Sequence, residues 1–302
     1  MSNHTTTHHQ EDDMYAITGI TGHVGGAVAT TLLQHGLPIR ALVRDGEKGA
    51  PWAARGADVA VADLGDRLAL ADALRGAEGA FVMLPTLPSG TDADHDRLVG
   101  SIAAAVAVSG VPHVVALSSW GAELADGNGP IRWLHRFEEA LRATGATVTA
   151  VRACHFQEAV EPVLGAVLDA GVLPVFGDDV DRPVPMVATC DVGALAAELL
   201  QAPPRTHQVV AVEGPVVTDR EIGAMLAAEL RREVQVVPLP RSEWEPTLQQ
   251  AGTSAALAAE IAGLYDADLA GVLQPHGDRR VVGSTPPSAT IRDLLTAAVS
   301  AA

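Results

Sequence analysis

From Met14 onward, short apolar runs alternate with longer stretches whose apolar positions recur every three or four residues. That alternation is the signature of strands covered by helices. The runs at 15–18, 39–43, 59–61, 80–84, 114–117 and 148–151 are nearly continuous in Val, Ile, Ala and Leu, as strands buried on both faces must be. Helical periodicity fills the gaps at 24–35, at 94–109 and at 131–144, where Ile131, Leu134, Phe137 and Leu141 share one face. Gly36 with Pro38, Gly110 with Pro112, and Gly145 stop these three helices. The pattern predicts a doubly wound parallel α/β sheet over residues 14–155.

After Arg152 the rhythm changes. Apolar runs at 173–176, 184–187, 209–212 and 234–237 mix with helices at 192–200 and 219–230. The second helix opens with Thr218-x-x-Glu221, the spacing of a capping box. This half is expected to form a smaller C-terminal α/β lobe, 156–302, against the carboxyl ends of the sheet, with about 190–213 returning to the first domain. Residues 1–13 are polar and aperiodic and read as a disordered tail. His4, His8 and His9 lie there without fixed geometry, so no metal site is expected.

Composition narrows the function. A chain of 302 residues, 48% hydrophobic, can bury a sizeable core. Acidic residues outnumber basic ones 37 to 20, the net charge is −17, and no basic block appears. A nucleic-acid partner is therefore not expected, because that binding draws on clustered Lys and Arg. Cys154 and Cys190 form no CxxC pair, so neither a disulfide framework nor a zinc site is suggested. The most apolar region, 98–120, is broken by Gly110 and Pro112 before either half reaches the ~18 residues of a membrane span. With no apolar segment flanked by basic residues at the N-terminus, the cytoplasm is the expected compartment.

The chemistry begins at Thr18-Gly19-Ile20-Thr21-Gly22-His23-Val24-Gly25, which follows the first strand and opens the first helix. Glycines let a backbone turn tightly against a pyrophosphate, and the helix N-terminus favours the anion. Gly25 would let the helix pack closely on the first strand. The second strand then runs into Arg44, with Lys48 close behind, where an NAD-specific protein usually places a carboxylate. Two cations there suit the 2′-phosphate of NADP(H). Lys48 is the sole lysine among 20 basic residues, which favours this reading over a solvated turn.

The glycine spacing is GxxGxxG. It resembles the NmrA-like family of atypical short-chain dehydrogenases, as do YAITGITGHVGGAVA, IRALVRD, VVALSSWGA, HRFEEALRATG, VRACHFQEAV and the Asp191-containing segment 187–200. The resemblance implies NADPH-dependent quinone or azo reduction, or cofactor sensing without turnover. It also implies that Asp63 sits beside the adenine ring, with a helix N-cap as the equal alternative.

The usual proton donor is missing. The chain has two tyrosines, Tyr15 and Tyr265, and no Tyr-x-x-x-Lys, so an alkoxide could not be protonated in the customary way. A quinone needs no such donor, because its reduced form is a phenolate of pKa near ~10. Ser118 and Ser119 are expected to follow the fifth strand at the nicotinamide end, with Pro85 and Thr86 bordering the ring. Family members often carry a histidine where His135 stands, which makes it the expected proton donor or quinone anchor. Trp120, His155 and Phe156 are placed in the substrate pocket. Cys154 and His155 are adjacent on an extended segment and point to opposite faces, which argues against a nucleophile–base pair. Two readings follow. One is an NADPH-dependent oxidoreductase acting on a quinone-like or conjugated carbonyl small molecule. The other is a non-catalytic NADP(H) sensor that acts through a protein partner. A homodimer is left open.

Overall fold

The computed structural model describes residues 14–301; the tail at 1–13, with His4, His8 and His9, lies outside them. The first half alternates without exception: β1 (Tyr15–Ile17), α1 (His23–Gln34), β2 (Ile39–Val43), α2 (Gly46–Ala53), β3 (Asp58–Val61), α3 (Arg67–Leu74), β4 (Gly79–Val82), α4 (Asp92–Ser109), β5 (His113–Ser119), α5 (Ile131–Arg142) and β6 (Thr147–Ala153). The second half runs β7 (His155–Phe156), a 3-10 helix (Gln157–Val163), α6 (Leu164–Ala170), β8 (Val172–Phe176), β9 (Val184–Val187), α7 (Thr189–Gln201) and β10 (Gln208–Glu213). It continues through β11 (Val216–Val217), α8 (Asp219–Leu230), β12 (Gln235–Leu239), α9 (Arg241–Gln250), α10 (Ala255–Leu269), β13 (Arg279–Val282) and α11 (Pro287–Ala301).

Eight strands form one parallel sheet in the order β13-β10-β6-β5-β4-β1-β2-β3. The order reverses between β1 and β4, which opens a crevice at their carboxyl ends, where ligands of such sheets bind. Sequence pattern explains the layers. β4 is buried at every position, and helices cover both sides of it. One apolar core joins α1 and α7 to the sheet through Val28, Leu32, Val192 and Ala196. The other joins α3, α4 and α5 through Leu70, Ile102 and Phe137. Helices α1 and α7 meet so closely that a Cβ at Gly193 would lie 2.4 Å from that of Ala27.

Past β6 the chain builds two small sheets, β11-β9-β7 and β12-β8, around a separate core that includes Val167, Leu173, Ile222 and Leu226. It re-enters the large sheet twice, at β10 and at β13. The second re-entry is poorly legible in sequence, because Arg-Arg-Val-Val on an exposed edge has neither alternation nor a continuous apolar run. Asp191 anchors this return, accepting from the Thr285 amide at 2.8 Å and its hydroxyl at 2.7 Å. Among the described residues, no helix is long and apolar enough to cross a membrane.

His113 opens β5 and is fully enclosed, 3.2 Å from the Thr149 hydroxyl. Burial pushes its imidazole down to about 4 from 6.5. The unfolded chain takes up this proton at the higher pH and the folded chain resists it. Stability is therefore full above the unfolded value and falls as pH drops from about 6.5 to 4, by roughly 3 kcal/mol in total. Urea denaturation across that window should show the loss, and His113→Leu should flatten it; an equally steep profile in the variant would assign the acid sensitivity elsewhere.

Candidate functional site

The turn after β1 has the geometry an anion needs. Gly19 adopts φ +61°, which favours glycine. A Cβ at Gly25 would lie 2.4 Å from the Gly19 carbonyl oxygen, so α1 can approach the turn only because no side chain stands there. No side chain caps α1 at Gly22, which leaves its first-turn amides for an outside acceptor. Gly22 itself has more room, its nearest neighbour being the Gly19 oxygen at 3.4 Å.

The other residues expected at this turn divide by what they touch. Thr18 is buried, its hydroxyl donating to Phe81 O at 3.1 Å and accepting from the Met83 amide at 3.2 Å. It staples β1 to β4, a role different from ligand contact. Val24 turns its side chain into the core, and Thr21 stays exposed. His23 reaches outward to Glu161 on the 3-10 helix at 2.8 Å. Arg44 and Lys48 are exposed beyond β2 and, among the described residues, neither forms an ion pair. Asp63 accepts from the Gly65 amide at 2.7 Å, while the cap of α3 is Asp66. The helix-cap alternative for Asp63 is thereby removed.

A cavity of about 630 Å³ opens at the carboxyl ends of β4, β5 and β6. Pro85, Thr86, Ser119, Trp120, His155 and Phe156 all line it. The two serines belong to β5, where they pair with Arg152 and Ala153 of β6, and do not follow it as the sequence suggests. Ser118 turns its hydroxyl to Glu138 Oε1 at 2.6 Å. Ser118 also lines the cavity, with its hydroxyl engaged by Glu138. Ser119 alternates to the other face, and its hydroxyl has no partner among the described residues.

His135 is the clearest departure. Its ring does not line the cavity, and Nδ1 donates to Ala122 O at 2.9 Å. It stands next to Leu134, which faces in, and one residue along a helix turns the side chain by about 100°. Two other imidazoles do line the cavity, the buried His95 and the half-buried His155. His155 Nε2 lies 3.3 Å from Asp268 Oδ1, and Asp268 also accepts from Arg182. Burial opposes ionisation of Asp268, but the His155 hydrogen bond and the charges of His155 and Arg182 hold its carboxyl below the usual range. Sequence reasoning missed Asp268 and Arg182, because nothing in their local spacing connects them to β6. Cys154 also lines the cavity, but burial pushes its thiol up to about 12, so it is no nucleophile.

The loop carrying Pro85 and Thr86 is fixed by His95. This fully buried ring accepts from the Leu87 amide at Nε2, 3.2 Å, and donates from Nδ1 to Thr91 O, 2.9 Å. It stacks on Trp133 with centroids 3.6 Å apart. Trp133 in turn donates to Asp92, whose carboxyl this bond and the Arg136 and Arg132 guanidinium groups hold down at about 2.

A strand-order reversal, a glycine turn pressed on an uncapped helix, and an apolar cavity beside it define a dinucleotide-binding α/β protein of the Rossmann type. The NmrA-like family matches residues 11–265, and the chain belongs to that family. It is 28% identical over 258 residues to an NAD(P)H azoreductase of Xenophilus azovorans, covering 83% of this chain and 86% of that one. It is 35% identical over 227 residues to the (4-alkanoyl-5-oxo-2,5-dihydrofuran-3-yl)methyl phosphate reductase of Streptomyces griseus, covering 74% and 76%. A quinone oxidoreductase of Escherichia coli, solved with NADPH, has the same fold with a TM-score of 0.72 at 23% identity, over 93% of this chain and 100% of that one.

Glu138, beneath the cavity floor, accepts from Ser118, twice from Arg152 at 2.8 Å and from Arg142 at 2.7 Å. Both Glu138 and Arg152 are buried. Glu138→Ala leaves the Arg152 charge enclosed with Glu123 as its remaining ion-pair partner. It should cost about 3–5 kcal/mol in urea denaturation. A loss below about 1 kcal/mol would show the pair to be replaceable by water.

Proposed function

We propose that this protein is an NADPH-dependent oxidoreductase that reduces a neutral, planar, conjugated acceptor such as a quinone. The single observation that carries the reading is the apolar cavity at the ends of β4, β5 and β6, next to the glycine turn. When bound, NADP(H) supplies a hydride. The uncapped start of α1 would hold its pyrophosphate, and the unpaired Arg44 and Lys48 would hold the 2′-phosphate. Pro85, Thr86 and Ser119 would border the nicotinamide, with Asp63 toward the adenine.

Reduction of a quinone takes two electrons and two protons; the hydride brings both electrons and one proton. His155 would donate the other to the developing phenolate, held in place by Asp268, which stays ionised beside Arg182. His155 thus takes the role that the sequence assigns to His135. The arrangement needs no Tyr–Lys pair. Tyr15 is buried in β1, Tyr265 stands on α10 and Lys48 on α2. The charge at the cavity wall argues for a neutral acceptor. Arg182 is matched by Asp268, so that guanidinium does not await a phosphate of the kind the Streptomyces griseus relative's substrate carries.

Arg44→Ala should weaken NADPH binding roughly ten- to a hundredfold and leave NADH nearly unchanged, since a charge-assisted contact contributes about 1.5–3 kcal/mol. Fluorescence titration with both cofactors measures this, and equal loss for both would reject the 2′-phosphate assignment.

Absorbance at 340 nm should fall when NADPH is mixed with simple quinones and stay flat with unactivated ketones. His155→Ala should lower turnover by up to ~100-fold with NADPH affinity intact, while His135→Ala leaves turnover unchanged. A flat trace for every quinone would move the reading to a cofactor sensor, and a large loss in His135→Ala alone would restore that histidine.

A further inference from the structure

A second, smaller cavity of about 140 Å³ lies inside the C-terminal lobe. It shares His155, Arg182 and Asp268 with the large one, so the two adjoin at that ion-paired cluster. Beyond the cluster the walls are mostly apolar, with Val160 and Val163 from the 3-10 helix, Leu173 and Phe176 from β8, and Val184 and Met186 from β9; Gln157 and Asp219 are the polar exceptions. Tyr265 closes the far side, stacked on Phe176 with centroids 4.6 Å apart.

Resting on the reductase reading, we propose that this second cavity binds an alkyl chain carried by the acceptor, whose ring occupies the first. Volume supports the assignment: a 150 Å³ apolar cavity holds a benzene-sized group, which corresponds to roughly four to six carbons. Charge does so too. Away from the shared cluster the carboxylate in the lobe cavity is Asp219, pushed up by burial, and burial pushes the Tyr265 phenol up to about 12. An anionic or cationic tail would meet a site that already resists charge. At the doorway Arg182 and Asp268 neutralise one another, so the passage favours neither sign.

The walls are built rather than slack. Gln157, buried at the root of the 3-10 helix, donates to Met186 O at 3.1 Å and Thr285 O at 2.9 Å, and accepts from Thr290 at 2.5 Å. Glu158 accepts from the amide of Thr189 at 3.0 Å and from its hydroxyl at 2.5 Å. A wall fixed at both ends can hold an empty apolar space without collapsing into it.

The test uses the full chain with NADP⁺ present and a series of alkylhydroquinones from methyl to heptyl, whose affinity is read by calorimetry. The matching quinones are followed in turnover. Affinity and kcat/KM should rise roughly three- to fourfold per methylene up to butyl or pentyl and then level off. Val163→Phe, which fills the lobe cavity, should bring the pentyl-to-methyl ratio close to one, and Val184→Phe provides the same test if the first variant does not fold. A flat series in the wild-type protein overturns the proposal, as does a rise that survives in the folded filled variant. Chain-length-dependent affinity with no turnover would keep the cavity and reject the reductase reading; turnover without chain dependence would do the reverse.

Discussion

The approach of α1 to the turn after β1 is the constraint from which the rest of the site follows. With 2.4 Å between a notional Cβ at Gly25 and the Gly19 oxygen, the helix can begin where it does only with hydrogen at that position. Its uncapped amides then converge on the crevice where the strand order reverses, and α7 can close over the far side of α1. Thr18 secures the same corner from within by joining β1 to β4. Shift the helix outward by the width of a methyl group and the uncapped start of α1, the crevice and the α1–α7 contact move together.

Around that corner, polar groups are arranged so that the cavity itself stays apolar. Glu138 and Arg152 satisfy each other beneath the floor, and His95 and Asp92 brace the loop at its edge. Each is a buried or half-buried polar group with its partners in place, the condition under which such groups order a structure without destabilising it. His155 has a face toward the cavity, and Asp268, at the same wall, sets its orientation.

The large sheet was legible because buried parallel strands read as continuous apolar runs, and the glycine turn because its spacing has a steric cause. Arg44 and Lys48 stand exposed after β2, as a surface turn there requires, and their role rests on the cofactor reading. What failed was depth. A seven-residue β5 was read as four residues, since serine is not an apolar signal, and Ser118 and Ser119 fell outside it. His135 turns its ring to Ala122, because family likeness fixes a position on a helix but not its rotation against the floor. The alliance of His155 with Asp268 and Arg182 joins residues 155, 268 and 182, a pairing that only tertiary packing produces.

The central claim is that the glycine turn and the cavity serve one ligand, with the reactive end of the cofactor facing His155. A crystal structure of the complex with NADP⁺ tests it most directly. The pyrophosphate should lie on the first turn of α1, the 2′-phosphate against Arg44 and Lys48, and nicotinamide C4 between Thr86 and Ser119 on the side open to His155. A nicotinamide directed away from the cavity, or a cavity filled by protein side chains once the cofactor is bound, would contradict it.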